Sequence, residues 1–289
     1  MYQKLKVEIE RPSLMLYTDI VYTNHIDDFS CHNTPLRMNF IHARKQYAPM
    51  EKLPLLIWAE GGAWRLSSPA LRIPELSYYA YNGYAVADIE YAISPERGWP
   101  APVEDIKTAI RYLKAHADEL GIDPERICLA GESAGAHLTA IAGLTGKTDL
   151  FTTREWADYD NSVKAVINWY TPGDIPATLR ERGQAERACF LVQPESEILR
   201  IDLDQHPEKT AVLNPMTYVT ADAPSFLFFH GDQDGLVPAS ASKALYEKLL
   251  ENGVEADYYL VEGASHGTQE FAQPAVQKIM LDFMNRQLK

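Results

Sequence analysis

The chain has 289 residues, 46% apolar and 23% charged. This composition is near the globular average, and a chain of this length buries roughly three quarters of its unfolded surface, which excludes disorder and fibrous structure. With 40 acidic against 27 basic residues the net charge is -13. No long basic run offsets it, so the field repels phosphate backbones and anionic lipid, and neither nucleic acid nor membrane is an expected partner. Cys31, Cys128 and Cys189 are widely spaced and odd in number, which suits neither a disulfide framework nor a zinc site and leads us to expect a reducing compartment. Residues 1–10 alternate charged and apolar side chains where a signal peptide needs an apolar stretch, and no stretch reaches the ~18 apolar residues of a membrane span. A cytoplasmic protein is expected.

Residues 6–9, 16–22 and 36–42 alternate in the manner of antiparallel edge strands, with a turn at Asn33-Thr34-Pro35 between the last two. Beyond residue 50 short apolar runs alternate with helical periods, the pattern of buried parallel strands and their crossover helices. Strands are predicted at 55–59, 85–89, 127–130, 165–169, 225–230 and 257–261. Helices are predicted at 103–119, 134–144, 239–251 and 274–287, with stops at Gly121 and Gly253. Residues 172–215 break the rhythm with Pro172, Pro176, Pro194 and Pro207 and only short apolar pieces. We therefore expect one α/β domain over residues 1–289 with a cap-like insertion at about 172–215.

Gly131-Glu132-Ser133-Ala134-Gly135 lies between an apolar strand and an alanine-rich helix. A Gly-x-Ser-x-Gly in that context places its serine on a strained strand-to-helix turn with Oγ projecting beyond the sheet. Ser133 is the nucleophile candidate. A serine hydroxyl needs a histidine base and an acid to orient it, in the order serine, acid, histidine. Downstream of the Ser133 helix lie His206, in the irregular insertion, His230, at a strand end before the acidic loop, and His266, in the small-residue loop Gly263-Ala264-Ser265-His266-Gly267. His266 is the base by position. Of the two aspartates after strand 225–230, Asp234 is assigned as the acid, with Asp232 as runner-up and turn stabiliser. A tetrahedral intermediate also needs backbone donors aimed at its oxyanion. Strand 55–59 runs into Glu60-Gly61-Gly62-Ala63-Trp64, so the N–H groups of Gly62, Ala63 and Ala134 are the candidate oxyanion hole.

Together these residues resemble the α/β-hydrolase superfamily over nearly the whole chain from about Leu53. Glu60-Gly61-Gly62-Ala63-Trp64, Tyr91-Ala92-Ile93-Ser94-Pro95-Glu96, Trp99-Pro100-Ala101-Pro102-Val103-Glu104-Asp105 and the Ser133 motif resemble its carboxylesterase branch, which includes hormone-sensitive-lipase-like enzymes and the bacterial feruloyl and acetylxylan esterase-like group. Asn214-Pro215, Tyr218 and His230-Gly231-Asp232-Gln233-Asp234 continue that pattern. The resemblance implies an α/β-hydrolase fold, a mostly parallel sheet with helices on both faces. It also implies hydrolysis of small carboxylic esters, acetyl or cinnamoyl groups on carbohydrate among them, through an acyl-serine, with neither metal nor cofactor. The competing expectations are an amide hydrolase using the same triad and a non-catalytic binding module. One departure is Glu60, where the family usually has a histidine that braces the oxyanion loop; a salt bridge from Glu60 to Arg65 or Arg72 is expected instead.

Other residues carry weaker signals. His25, Asp27, Asp28, Cys31 and His32 lack a recognised ligand spacing and read as a solvated loop. His137 reads as a packed helix residue. Trp64, Tyr91, Trp99, Trp169 and Tyr170 fall near strand ends or motif loops, as core or as candidates for an acyl-pocket lining. Phe190, Leu191 and Ile198 are the candidate pocket wall within the insertion.

Overall fold

The computed structural model describes residues 1–43, 51–182 and 193–289. Cys189, Phe190 and Leu191 lie outside the described residues. One sheet organises the chain. Its strands are β1 (Leu14–Ile26), β2 (Asn33–Ala43), β3 (Leu53–Ala59), β4 (Ala85–Ile89), β5 (Ile122–Glu132), β6 (Ala165–Trp169), β7 (Ser225–Gly231) and β8 (Ala256–Val261), in the spatial order β1-β2-β4-β3-β5-β6-β7-β8. β1 and β2 pair antiparallel with each other, β2 pairs antiparallel with β4, and every pair from β4 to β8 is parallel.

The central strands are apolar because both faces are covered. Every residue of β3, β4 and β6 is buried, as expected where crossover helices clothe a parallel sheet. Alternate side chains feed the two faces. Leu55 and Ile57 belong to one core with Ile106 and Ile110 of α2 (Ala101–Ala115), Leu138 and Ile141 of α4 (Ser133–Leu144), and Leu245 and Leu249 of α7 (Ala239–Glu251). Leu56, Trp58, Cys128 and Ala130 join the opposite core, with Leu76 of α1 (Ile73–Tyr81) and Met280 and Met284 of α8 (Pro274–Leu288). The helix after Ser133 has no polar face, and every residue from Ala134 to Leu144 is buried, the place such a helix must occupy. Short α3 (Ala117–Leu120) follows α2 after a break at His116, and both predicted stop glycines have positive φ, 68° at Gly121 and 76° at Gly253.

The structure departs from expectation in two places. Residues 6–9 form no strand, and Leu5, Val7 and Ile9 are exposed; alternation alone stabilises nothing when no layer lies over the apolar side chains. The sequence reading missed α1, because Ile73–Tyr81 is short, tyrosine-rich and begins next to a proline. α2 buries Lys107 and Arg111, whose charged ends reach the carbonyls of Thr145, Leu150 and Glu155 and the side chain of Asn161 and so clasp the loop after α4. Within residues 172–215, α5 (Ile175–Glu181), α6 (Pro194–Leu199) and a 3-10 turn at Pro207–Val212 are described. No helix among the described residues is long and apolar enough to cross a membrane.

Candidate active site

Parallel pairing in register brings the C-terminal ends of five strands to one edge of the sheet: Ala59 pairs with Gly131, Glu132 with Trp169, Trp169 with Phe229 and Gly231 with Val261. Loops leaving such an edge border the crevice of an α/β sheet. Ser133 stands where β5 becomes α4, at φ 52°, a conformation that costs a non-glycine residue about 1–3 kcal/mol and persists only when its surroundings hold it. Gly135 permits the turn. A Cβ there would lie 2.2 Å from the Ala59 carbonyl oxygen and 2.4 Å from that of Glu60, so the helix can approach β3 only without a side chain.

The structure brings Ser133, His266 and Asp234 together. His266 Nε2 lies 2.9 Å from Ser133 Oγ, and His266 Nδ1 lies 2.8 Å from Asp234 Oδ2. Asp234 Oδ1 accepts from the N–H groups of Leu236 and Val237 at 3.0 and 2.9 Å. Burial raises the pKa of this carboxyl, but hydrogen bonds from His230, His266 and Val237 outweigh burial and hold it well below the usual carboxylate range. An ionised Asp234 accepts from Nδ1–H, which leaves Nε2 free to accept the Ser133 proton. Asp232 is exposed and accepts from the Gly263 N–H at 2.8 Å, which ties the acid-bearing loop to the histidine-bearing one.

His230 does not face Ser133. It is fully buried, its Nε2 2.8 Å from the Val237 carbonyl oxygen and 3.3 Å from Asp234 Oδ2, with Nδ1 2.6 Å from Ser242 Oγ. It braces the acid, a role the sequence reading did not assign it.

After β3 the chain turns through Gly62, Ala63 and Trp64 at φ 146°, 53° and 59°, closed by Arg65 N–H donating to the Gly62 carbonyl. A Cβ on Gly61 would lie 3.1 Å from that of Ser133, so the loop lies against the serine. Among the described residues no group accepts a hydrogen bond from the N–H of Gly62, Ala63 or Ala134, which leaves these donors open to a ligand.

Glu60 forms no salt bridge with Arg65 or Arg72, contrary to expectation. Arg65 makes a two-pronged pair with Glu197 of α6, at 3.1 and 2.9 Å. Arg72 pairs with Glu132 at 2.7 Å. Tyr170 also donates to Glu132, and its ring packs edge-on against His266 with centroids 4.7 Å apart. Burial would raise the pKa of Glu132, yet the neighbouring Glu60 carboxyl and donors from Arg72 and Tyr170 hold it below the ordinary glutamate value. Sequence reasoning passed over Glu132, although its place inside the Ser133 motif was the available signal.

His137 is packed as expected. Its Nε2 is 2.6 Å from the Leu213 carbonyl oxygen, and burial pushes its pKa down to about 4. Trp64, Tyr91, Trp169 and Tyr170 are buried core residues, whereas Trp99 is half-buried between His137 and Phe151. Ile198 is fully buried and packs in the core instead of walling a pocket; its carbonyl accepts from Trp99 N–H at 2.8 Å. In the loop at residues 27–32, Asp27 accepts from the N–H groups of Phe29 and Ser30.

Two segments between residues 172 and 215 touch the loops beside Ser133 and Asp234. Glu197 holds Arg65 of the Gly61–Trp64 loop, while Arg182, in a buried ion pair with Glu195 at 2.6 Å, donates to the Leu236 carbonyl beside Asp234.

This sheet, with an open-ended serine turn, histidine loop and acid loop at one edge, defines the α/β-hydrolase fold. More narrowly, the chain belongs to the BD-FAE family, whose model matches residues 44–249. Among curated proteins it is similar to "Esterase LipC" of Mycobacterium tuberculosis, at 34% identity over 226 residues covering 78% of this chain and 55% of that protein. It is also similar to "Carboxylesterase NlhH" of the same species, at 35% identity over 208 residues covering 70% and 59%. The chain thus spans little more than half the length of these relatives. Among solved structures, a "truncated form of carbohydrate esterase from gut microbiota" superposes with a TM-score of 0.77 at 26% identity, covering 96% of both chains.

Proposed function

We propose that the chain is a serine esterase acting on small carboxylic esters, acetyl or cinnamoyl groups on carbohydrate among them. The observation that carries this reading is the unbroken hydrogen-bonded line from Ser133 through His266 to Asp234, at 2.9 and 2.8 Å, beside unpaired N–H groups. The names of the relatives and of the superposed carbohydrate esterase agree with it.

In this reading Ser133 Oγ attacks the ester carbonyl carbon as His266 Nε2 takes its proton. The carbonyl π electrons move to oxygen, and the oxyanion is held by Gly62, Ala63 and Ala134, each such donor being worth about 10²–10³ in rate. Collapse breaks the bond to the alcohol oxygen, which leaves with the proton from His266, and an acyl-serine remains. Water, deprotonated by the same imidazole, attacks the acyl carbon, and the acid departs as the proton returns to Ser133. Asp234 fixes the tautomer and stabilises the imidazolium. Residues 172–215 form the cap in this proposal, supported by the Arg65–Glu197 and Arg182–Leu236 contacts at the rim.

The test is a panel of aryl and sugar esters of increasing acyl length, assayed with purified protein and with Ser133→Ala. Turnover of short acyl esters that falls by about 10⁶ in the variant is expected; turnover untouched by it refutes the reading.

A further inference from the structure

Glu60 follows β3 and leads into the Gly61–Ala63 loop, and Glu132 closes β5 just before Ser133. Pairing of Ala59 with Gly131 sets the two residues side by side. Glu60 is 1% exposed, and among the described residues neither of its oxygens meets an N–H group, a hydroxyl or a cation. Its carboxyl meets that of Glu132. The Arg72 guanidinium and the Tyr170 hydroxyl are both directed at Glu132. Two carboxyl groups in contact out of water do not both ionise, and the donors already aimed at Glu132 mark it as the anion.

We propose that Glu60 is a positioning residue for the ester hydrolysis inferred above, on which the proposal rests. Its carboxyl stays protonated and donates to Glu132, tying the loop that carries the Gly62 and Ala63 N–H groups to the turn that carries Ser133. One hydrogen bond then sets the separation of oxyanion donors and nucleophile. A second tie, from the Tyr91 hydroxyl to the Glu60 carbonyl at 2.7 Å, holds the backbone but not the side chain.

The charged surroundings favour the proton on Glu60. Asp88 and Tyr91 face it from β4 and the residues after it, Arg72, which also pairs with Glu75, from the start of α1, Glu132 from β5, and Tyr170 from just after β6, with His266 behind Tyr170. Only Arg72 in this set is a fixed cation. Burial, then Glu132 and Asp88, push the Glu60 pKa up to about 10 against the pull of Arg72.

The experiment compares Glu60→Gln and Glu60→Ala with the unmodified protein. A glutamine amide makes the same donor contact with no proton to lose, so it should recover most of the kcat lost in Glu60→Ala. The alanine variant should lose about 10²-fold in kcat, the scale of one misplaced oxyanion donor, with KM changed less than about threefold. The unmodified protein should lose kcat/KM as pH rises toward 10, and Glu60→Gln should lack that fall. Melting in a Ser133→Ala background gives a readout independent of turnover. A carboxyl whose native pKa lies above its unfolded value contributes stability that is complete below the unfolded value and lost as pH rises through the native one. Glu60→Gln should therefore flatten the decline in Tm between about pH 5 and 10. Glutamine as inactive as alanine, or Tm profiles that run parallel, overturn the proposal. Absence of ester turnover in the unmodified protein counts against the hydrolase reading instead, and the melting series still decides the fate of Glu60.

Discussion

Asparagine at position 234 reverses one hydrogen bond while keeping the side chain's shape. The Leu236 and Val237 N–H groups, 3.0 and 2.9 Å from Oδ1, fix the amide oxygen there. The amide nitrogen then takes the place of Oδ2, 2.8 Å from His266 Nδ1. Because that nitrogen donates, Nδ1 must accept, and the imidazole proton moves to Nε2, which then presents N–H to Ser133 Oγ where a base is required. The expected loss in kcat is about 10⁴, about 5.5 kcal/mol of transition-state stabilisation. The cost to folding is smaller, on the order of 1–3 kcal/mol, from the amide N–H facing His230 Nε2 at 3.3 Å. Asp232→Asn is the control. Its partner is the Gly263 N–H at an exposed position, so kcat should stay within about threefold and stability within about 1 kcal/mol. Initial rates on an activated aryl ester, with thermal melts of both variants, check the pair. Loss of less than tenfold in Asp234→Asn, or transfer of the large loss to Asp232→Asn, refutes the reasoning.

Gly135→Ala places a Cβ 2.2 Å from one backbone oxygen and 2.4 Å from another, against an ordinary contact of 3.4–4 Å. The serine turn must move by about 1 Å, so kcat/KM should fall about 10²-fold with about 1–3 kcal/mol lost from stability; a variant normal in both assays contradicts the packing argument. Glu195→Ala removes the carboxylate paired with the buried Arg182 guanidinium and should cost about 3–5 kcal/mol in denaturant unfolding. If residues 172–215 cap the site, it should also shift the ratio of kcat/KM between acetyl and bulkier acyl esters, and an unchanged ratio argues against the cap.

What the sequence made legible follows from range and dielectric. The parallel strands could be read because burial on both faces leaves an uninterrupted apolar run, and Ser133 because its motif is local. His266 and Asp234 could be placed by chain order, since only loops at the same sheet edge can supply them. Residues 6–9 misled because alternation describes a side-chain pattern and not the partner that makes a strand stable. The Glu60 network stayed hidden for a different reason. Complementary charge argues for a salt bridge from a buried glutamate to a nearby arginine, whereas the fold gives Arg65 to Glu197 and Arg72 to Glu132 and leaves Glu60 against a second carboxyl. Like charges pair only where burial makes protonation the lower-energy choice, and burial at a strand end is a property of the assembled sheet. His230 illustrates the same limit: its position beside the acidic loop was plain, but its contacts with Val237 and Ser242 run through neighbouring elements.

The proposed hydrolysis turns on Ser133 as the nucleophile, activated by His266. Labelling with a fluorophosphonate, followed by intact-mass measurement and peptide mapping, tests it most directly. One adduct is expected, on Ser133, formed rapidly in the unmodified protein, far more slowly in His266→Ala and not at all in Ser133→Ala. An adduct mapped to another residue, or labelling that persists undiminished in Ser133→Ala, contradicts it.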